Sequence, residues 1–429
     1  MIHSISSRQG PRSLIAALGL TTALTGAAFA QDLSGDLVIL NWQGGVDGEM
    51  WDELEAAFME QHPDVTISEL EIIAQGDARG GIRSALLGGE VVDLIINTWP
   101  AFREELAVSG IIRPMDEEWE ANGWDDMLGQ SWKDLGMIDG EVYGLTYTYG
   151  DRSAIWYDTE HLEKAGIEPP ETWEEFLASF DALSEAGYAV PVGIPGKYWA
   201  HAEWFESLLL RTGGVEAAAQ LAAHEIPWTD PVVREAMMKF KEMIDAGCCG
   251  DASQMLANDW DGVADQVFQA DAMNYLLIGM WMNARAKNEY GLTEGEDYSI
   301  FQFPALGMGH DNTSTVDAKE LNITTNGENP EAAQAFLDFM LTEEATTILA
   351  EYGYASPSTA ADTSLLGPVQ QQATAAVSES EVQFVLGDLL PGDLVDEYRV
   401  QLQRFLQDPS EENIDQVLAA IEAKAASAY

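Results

Sequence analysis

The residues with chemistry to offer in this chain are tryptophans beside amides. Trp42-Gln43 and Asn97-Thr-Trp99 each close an apolar run, and Trp281 follows the run Ala272 to Ile278 after Gly279. An indole gives a flat apolar face with one donor at its edge, and an amide gives both a donor and an acceptor. Such a set holds a small ligand with an apolar face and a polar rim. Each member also has a purely architectural reading. Gly279 can let the chain turn after a buried strand, and Trp281 can fill core. Bond-breaking motifs are missing: six histidines are scattered, with no H-E-x-x-H, no G-x-S-x-G and no P-loop. A chain with 73 acidic residues offers carboxylate pairs by chance, so none marks an acid–base pair. A secreted hydrolase with two carboxylates about 5–10 Å apart stays as a minor alternative. The only cysteines, Cys248 and Cys249, are adjacent. In an oxidising compartment they can close a vicinal disulfide or remain two thiols. Two neighbours cannot supply four ligands, so no metal is expected, and no cofactor.

Alternating elements position these residues. Leu37–Trp42, Val65–Ile73 and Val91–Ile96 read as strands, with helices at about Gly48–Gln61 and Arg79–Leu87 between them. Strand, helix, strand in this order predicts an α/β fold with mainly parallel sheets and helices on both faces. Ligands in such sheets sit beyond the carboxyl ends of the strands, where Trp42-Gln43 and Asn97–Trp99 fall. Tyr143–Tyr149 alternates as a strand, Gly150-Asp-Arg interrupts it, and Ser153–Tyr157 resumes, as a crossing between two domains would. Thr172-Trp-Glu-Glu175 is a capping box, and Pro231 and Pro330 open further helices. Pro191–Ile194 is a short strand, Val263–Gln269 a helix, and Val316–Ile323 a return strand; Gly307–Ser314 is a loop. The tail holds three helical segments, the last with Ile414, Val417, Leu418 and Ile421 on one face.

At 429 residues the chain exceeds one ordinary core, and 46% apolar residues with 13 tryptophans exclude disorder. Residues 1–30 differ from the rest: Arg8 and Arg12, an apolar run Leu14–Ala23, then Ala28-Phe29-Ala30 before Gln31. That is a bacterial secretory signal peptide cut after Ala30, which predicts a soluble periplasmic protein. What remains carries 18 basic against 73 acidic residues, a net charge of −55. Such a surface repels nucleic acid and anionic membranes. Acids spread along the whole chain read as a solvated coat suited to salty surroundings; a cationic ligand is the other reading.

The ordered series of segments resembles the extracellular solute-binding proteins of bacterial ABC importers, of the carbohydrate-binding, maltose-binding-protein-like type. The segments are Asn41-Trp42, Phe58–Pro63, Ala85–Leu94, Ser109–Pro114, Asp139–Gly144, Ile155–Asp158, Pro170–Glu175 and Asn329–Leu337. The resemblance implies the two-lobe type II periplasmic-binding-protein fold with three inter-lobe crossings. Lobe one would hold 36–148 plus 318–354, and lobe two 149–317 plus 355–429. It implies a monomer that captures a mono- or short oligosaccharide or polyol by lobe closure and delivers it to membrane permease subunits, without catalysis. A polyamine-like cation is the alternative ligand. Carried onto this sequence, the family pattern puts Trp281 first in the site, with Trp42, Gln43, Asn97 and Trp99. It adds Asp151 and Arg152 at the first crossing, Trp199 and His201 in a polar–aromatic loop, and Asp317 at the second crossing. Asp151 and Arg152 could equally be a hinge ion pair, and His201 a surface residue. Asn97 and Pro100 stand where maltose-type relatives often place an aromatic and an acid, which argues against maltose-like oligosaccharides. The glycine-rich Gln75–Gly81 is a ligand loop or a helix entry.

Overall fold

The computed structural model describes residues 33–73 and 76–429. The expected signal peptide and its cleavage site, and Gln75 of the glycine-rich stretch, lie outside the described residues. The strands are β1 (Gly35–Asn41), β2 (Val65–Glu71), β3 (Leu94–Asn97), the short pair β4 (Met137–Ile138) and β5 (Glu141–Val142), β6 (Leu145–Asp151), β7 (Ala154–Asp158), β8 (Val190–Gly193), β9 (Met273–Leu277), β10 (Tyr298–Gln302), β11 (Thr313–Ile323) and β12 (Glu381–Phe384). A six-stranded sheet runs β12-β11-β3-β1-β2 with β6 also on β11, and a four-stranded sheet runs β10-β7-β9-β8. Parallel pairing joins β1 to β2 and β3, β11 to β12, and β8 to β9. The pairs β11–β3, β11–β6, β10–β7 and β7–β9 run antiparallel, so both sheets are mixed.

Strand alternation explains the layers. Leu37 and Ile39 of β1 pack with Trp51, Phe58 and Phe336, while Leu40 packs on the other face with Ile82, Ile95 and Phe102. With both faces apolar, the sheet must be covered on both sides by helices. The same division recurs in β7 of the four-stranded sheet: Ile155 and Tyr157 face one cluster, Ala154 and Trp156 the other.

Between the sheets the chain is short. β6 runs through Gly150 to Asp151 in the first sheet, and β7 starts at Ala154 in the second, leaving only Arg152 and Ser153 in the crossing. A second passage joins β10 to β11, where Arg152 N donates to Thr315 O at 2.8 Å. The capping box at Thr172 is formed in full, and proline opens the helices Pro231–Asp245 and Pro330–Met340. In the tail, the helices Gly392–Gln407 and Glu411–Ala428 pack on each other; the second packs along Pro231–Asp245, and the first touches it through Phe405 on Phe240. The apolar stripe from Ile414 to Ile421 is buried there. β12, two exposed and two half-buried residues with no alternation, was not legible in the sequence. Cys248 and Cys249 are joined as a disulfide, buried in the core beneath β8.

Candidate functional site

A cavity of about 530 Å³ lies where strands of both sheets end. This is within the usual range for a small-molecule pocket, roughly 300–1,000 Å³. Five tryptophans line it, together with six carboxylates and four cationic side chains.

The wall from the six-stranded sheet comes from residues just after β1, β2 and β3. Trp42 and Trp99 meet at 4.9 Å between ring centroids, and Trp42 Nε1 donates to the Ile96 carbonyl at 2.8 Å. Gln43 sits beneath them. Its Oε1 accepts from Trp51 Nε1 at 2.8 Å and Tyr147 Oη at 3.0 Å, and its Nε2 donates to Asp47 at 3.0 Å. Asp47, in the first turn of the helix Val46–Gln61, also accepts from Tyr354 Oη at 2.5 Å and faces Lys319 Nζ at 3.6 Å. Asp77 accepts from Arg79 and, at 2.7 Å, from Arg399 of the tail helix. Burial opposes ionisation of Asp77, but the two guanidiniums hold its carboxyl far below the usual range. Gly76, at φ +100°, brings the backbone against Tyr198, where a Cβ would stand 3.3 Å from that ring.

The opposite wall is built on Arg152. Its guanidinium lies 4.5 Å from the Trp281 ring centroid and 5.4 Å from that of Trp199. Gly279 is needed for this packing, because a Cβ there would collide with the Trp281 ring and the Arg152 side chain. Trp281 meets Trp199 and Trp260 at 6.0 Å each. Arg285 lies over Trp260 at 5.4 Å and pairs with Asp261, Asp265 and Glu289. Behind the wall, Arg152 Nε donates to Glu203 Oε1 at 3.1 Å, and Nη2 reaches the same oxygen. Its Nη1 stands 3.6 Å from Asp317 and 4.0 Å from Asp388. Burial works against the charge on Arg152, but these three carboxylates raise its pKa above the ordinary value. Burial pushes Glu203 up to about 8, Glu206 up to about 7 and Asp388 up to about 6, and raises Asp317 as well. One guanidinium shared among them offsets only part of that cost.

Of the ten residues singled out from the sequence, seven line the cavity: Trp42, Gln43, Trp99, Arg152, Trp199, Trp281 and Asp317. Three do not, and each is committed elsewhere. Asn97 is fully buried and donates to Glu320 Oε1 at 2.8 Å; its neighbour Thr98 lines the cavity instead. Asp151 and Arg152 diverge, as successive residues of an extended chain must. Asp151 turns inward to accept from the N–H and hydroxyl of Ser153 at 2.8 and 2.7 Å. The ion pair at the crossings therefore joins Arg152 to Asp317, not to Asp151. His201, expected in a surface loop or in the site, is fully buried, with Nε2 3.0 Å from the Arg399 carbonyl. Burial lowers its pKa to about 4, so it is neutral at ordinary pH.

Asp47, Thr98, Trp260, Asp261, Arg285, Glu289, Lys319, Asp388 and Arg399 also line the cavity without having been singled out from the sequence, whereas Gly76 and Asp77 belong to the glycine-rich stretch that reads as a ligand loop or a helix entry. The one available cue was Trp260-Asp261 opening a helix, a second aromatic–polar pair near the stretch that leads to Trp281. The others arrive from distant segments that only the fold brings together.

A family model described as bacterial extracellular solute-binding protein matches residues 44–347. The chain belongs to this family. It is 27% identical over 380 residues to the alpha-glucosides-binding periplasmic protein AglE of Rhizobium meliloti, covering 85% of this chain and 81% of that one. It is 31% identical over 160 residues to the osmoprotective compounds-binding protein GgtB of Synechocystis, covering 36% and 38%. Among solved structures, the solute receptor AcbH superposes with TM-score 0.82 at 19% identity, over 92% of this chain and 99% of that one. A chitin oligosaccharide binding protein superposes with TM-score 0.80 at 17% identity, over 92% and 99%. These likenesses establish the two-lobe type II periplasmic-binding-protein fold for this solute-binding protein.

Proposed function

We propose that this protein captures a neutral carbohydrate in the cavity between the two sheets and delivers it to the permease of an ABC importer. The observation that carries this reading is the lining itself. Five indoles supply faces for the C–H side of sugar rings, and every lining cation is already matched by a carboxylate: Arg152 by Glu203 and Asp317, Arg285 by Asp261, Lys319 by Asp47, Arg399 by Asp77. No lining guanidinium or ammonium is left for an anionic ligand, and carboxylate oxygens abound to accept from hydroxyls. Relatives named for alpha-glucosides and for chitin oligosaccharides support the same class.

In this reading Trp281 is the platform for one ring, with Trp199 and Trp260 beside it. Trp42 and Trp99 close from the other side, and Gln43, Asp317 and Arg152 contact hydroxyls. The lobes are 36–148 with 318–354 and 149–317 with 355–429. They close about the passages at Arg152–Ser153 and between β10 and β11. β12 pairs with the start of β11 at the edge of the six-stranded sheet. The chain works as a receptor, not a hydrolase. It acts as a monomer in the periplasm after cleavage behind Ala30, which N-terminal sequencing of the secreted protein checks.

Mass spectrometry of the small molecule that copurifies with the protein identifies the ligand. Calorimetry with alpha-glucosides, galactose, chitin oligosaccharides and spermidine tests the class. Saturable heat with a sugar and none with spermidine is the expected outcome; the reverse would replace carbohydrate with a cation. Turnover of glycosides at substoichiometric protein would restore the hydrolase.

A further inference from the structure

Two carboxylates outside the cavity, Glu203 and Glu206, touch no ligand in the reading above, and they are unlike their surroundings. They stand three residues apart at the start of the helix Ala202–Ala222, within a buried run that includes Trp204, Phe205, Leu208 and Leu209. Glu203 is 2% exposed and Glu206 3%. A buried carboxylate costs several kcal/mol unless its oxygens are used, so each should have a task.

The tasks are visible in the contacts. Glu203 Oε1 receives both Nε and Nη2 of Arg152, the guanidinium stacked on Trp281 and Trp199. Glu206 Oε2 accepts from Leu386 N at 2.7 Å, and its Oε1 from Gly387 N at 3.2 Å and Tyr398 Oη at 3.1 Å. Those amides belong to the short turn Leu386–Leu389, which carries Asp388 onto the cavity wall. The pair thus grips the first crossing with one carboxylate and the tail with the other. The first grip ends on the cavity-lining Arg152, and the second on the turn that carries the cavity-lining Asp388.

We propose that Glu203 and Glu206 are positioning residues of the ligand site. Glu203 sets the guanidinium against which Trp281 and Trp199 pack, and Glu206 sets the turn that presents Asp388. This rests on the proposed carbohydrate site, but it makes a demand of its own: the site's tryptophan geometry should respond to pH. The charges facing the pair are Arg152 from the first crossing, Asp317 from β11, Asp388 from the tail turn, and Arg79 and Arg399 beyond Asp388. The carboxyls of the pair are raised towards neutrality, so they shed protons around pH 7 and 8. Repulsion among them then rises, and the Arg152–Trp281 stack loosens.

The test has an arm that needs no ligand. Near-ultraviolet circular dichroism reads tryptophan packing in wild type, Glu203→Ala, Glu203→Gln and Trp281→Phe. Glu203→Ala should keep its far-ultraviolet spectrum and reproduce the difference spectrum of Trp281→Phe. Glu203→Gln, whose amide oxygen still accepts from Arg152, should restore the wild-type spectrum while flattening its pH dependence. A folded Glu203→Ala protein with wild-type tryptophan signals overturns the proposal. Where that variant does not fold, a Glu203→Gln protein that keeps the wild-type pH profile overturns it. Glu206→Ala should speed hydrogen exchange at the Leu386 and Gly387 amides, and unchanged protection there removes that half. The second arm measures affinity by calorimetry with methyl α-D-glucoside and D-galactose as probes. Glu203→Ala should weaken binding about 30-fold or more, with recovery in Glu203→Gln at pH 6. Wild type that binds neither probe counts against the carbohydrate reading alone, and the spectroscopic arm still decides the positioning claim.

Discussion

On the wall built by the six-stranded sheet, Trp42 is fixed by its own N–H, which donates to a strand carbonyl, and Trp99 leans on it. On the facing wall, the packing of Trp281 depends on a stacked guanidinium, and that guanidinium depends on buried carboxylates. The same side chain thus has two kinds of support. A backbone hydrogen bond in a sheet does not titrate and is hard to displace. A guanidinium held among three buried carboxylates does respond to pH, and it is weakened when a partner is removed. Sensitivity to mutation and to pH should therefore concentrate on the Arg152 side.

The largest effect is expected from Arg152→Ala, which leaves Glu203 buried without its cation. In urea melts above pH 8, where the Glu203 carboxyl is ionised, it should cost about 3–5 kcal/mol of stability, as well as affinity. A loss under about 1 kcal/mol would mean the cluster is already neutral by protonation, and the two walls would not differ in kind. Next, Trp281→Ala should weaken ligand binding by about 2–4 kcal/mol with little change in melting. Trp42→Ala should weaken binding too, but without altering its pH dependence. That contrast separates the two supports.

Asn97→Ala should lower stability by about 1–3 kcal/mol, because Glu320 loses a buried donor, while affinity stays unchanged. A large affinity loss would return Asn97 to the site.

For pH, the sign follows from protons bound. Glu203, Glu206 and Asp388 sit at about 8, 7 and 6 in the fold, against ordinary values of 4.5, 4.5 and 3.8. Between those limits the folded protein holds protons that the unfolded chain has released, so stability falls as pH rises through 6 to 8. Glu55, buried in the helix Val46–Gln61 and also raised to about 8 by burial beside Glu69, adds to the same slope. Glu55→Gln should flatten stability against pH but leave affinity against pH untouched. A variant that moved both would erase the distinction between the walls. The smallest effect belongs to Arg399→Ala. Asp77 keeps Arg79 as its partner, so about 1 kcal/mol or less should be lost.

Much of the fold was legible because short-range rules governed it. The apolar run Leu37–Leu40, the capping box at Thr172 and the prolines at 231 and 330 each act within a few residues. The site was legible where a strand end alone placed a residue, as for Trp42 and Trp99. It was lost where the side-chain direction mattered. Asn97 and Asp151 sit one residue from cavity-lining neighbours and face the other way. Asp388, Arg399 and Glu203 were out of reach for another reason. Their partners lie in segments remote in sequence, and periodicity tells which face is buried but not what it meets. Glu203 and Glu206 did leave a trace, two acids within an apolar helical run, which a search for locally inconsistent residues would have found.

In the proposed complex a neutral sugar ring rests on Trp281, against Arg152, in the cavity between the sheets. Isothermal titration of the copurifying sugar into wild type and Trp281→Ala, at pH 6 and pH 8, tests it most directly. Affinity should fall about 30-fold or more in the variant, and wild type should bind more weakly at pH 8 than at pH 6. Equal affinity of the two proteins at both pH values would contradict it.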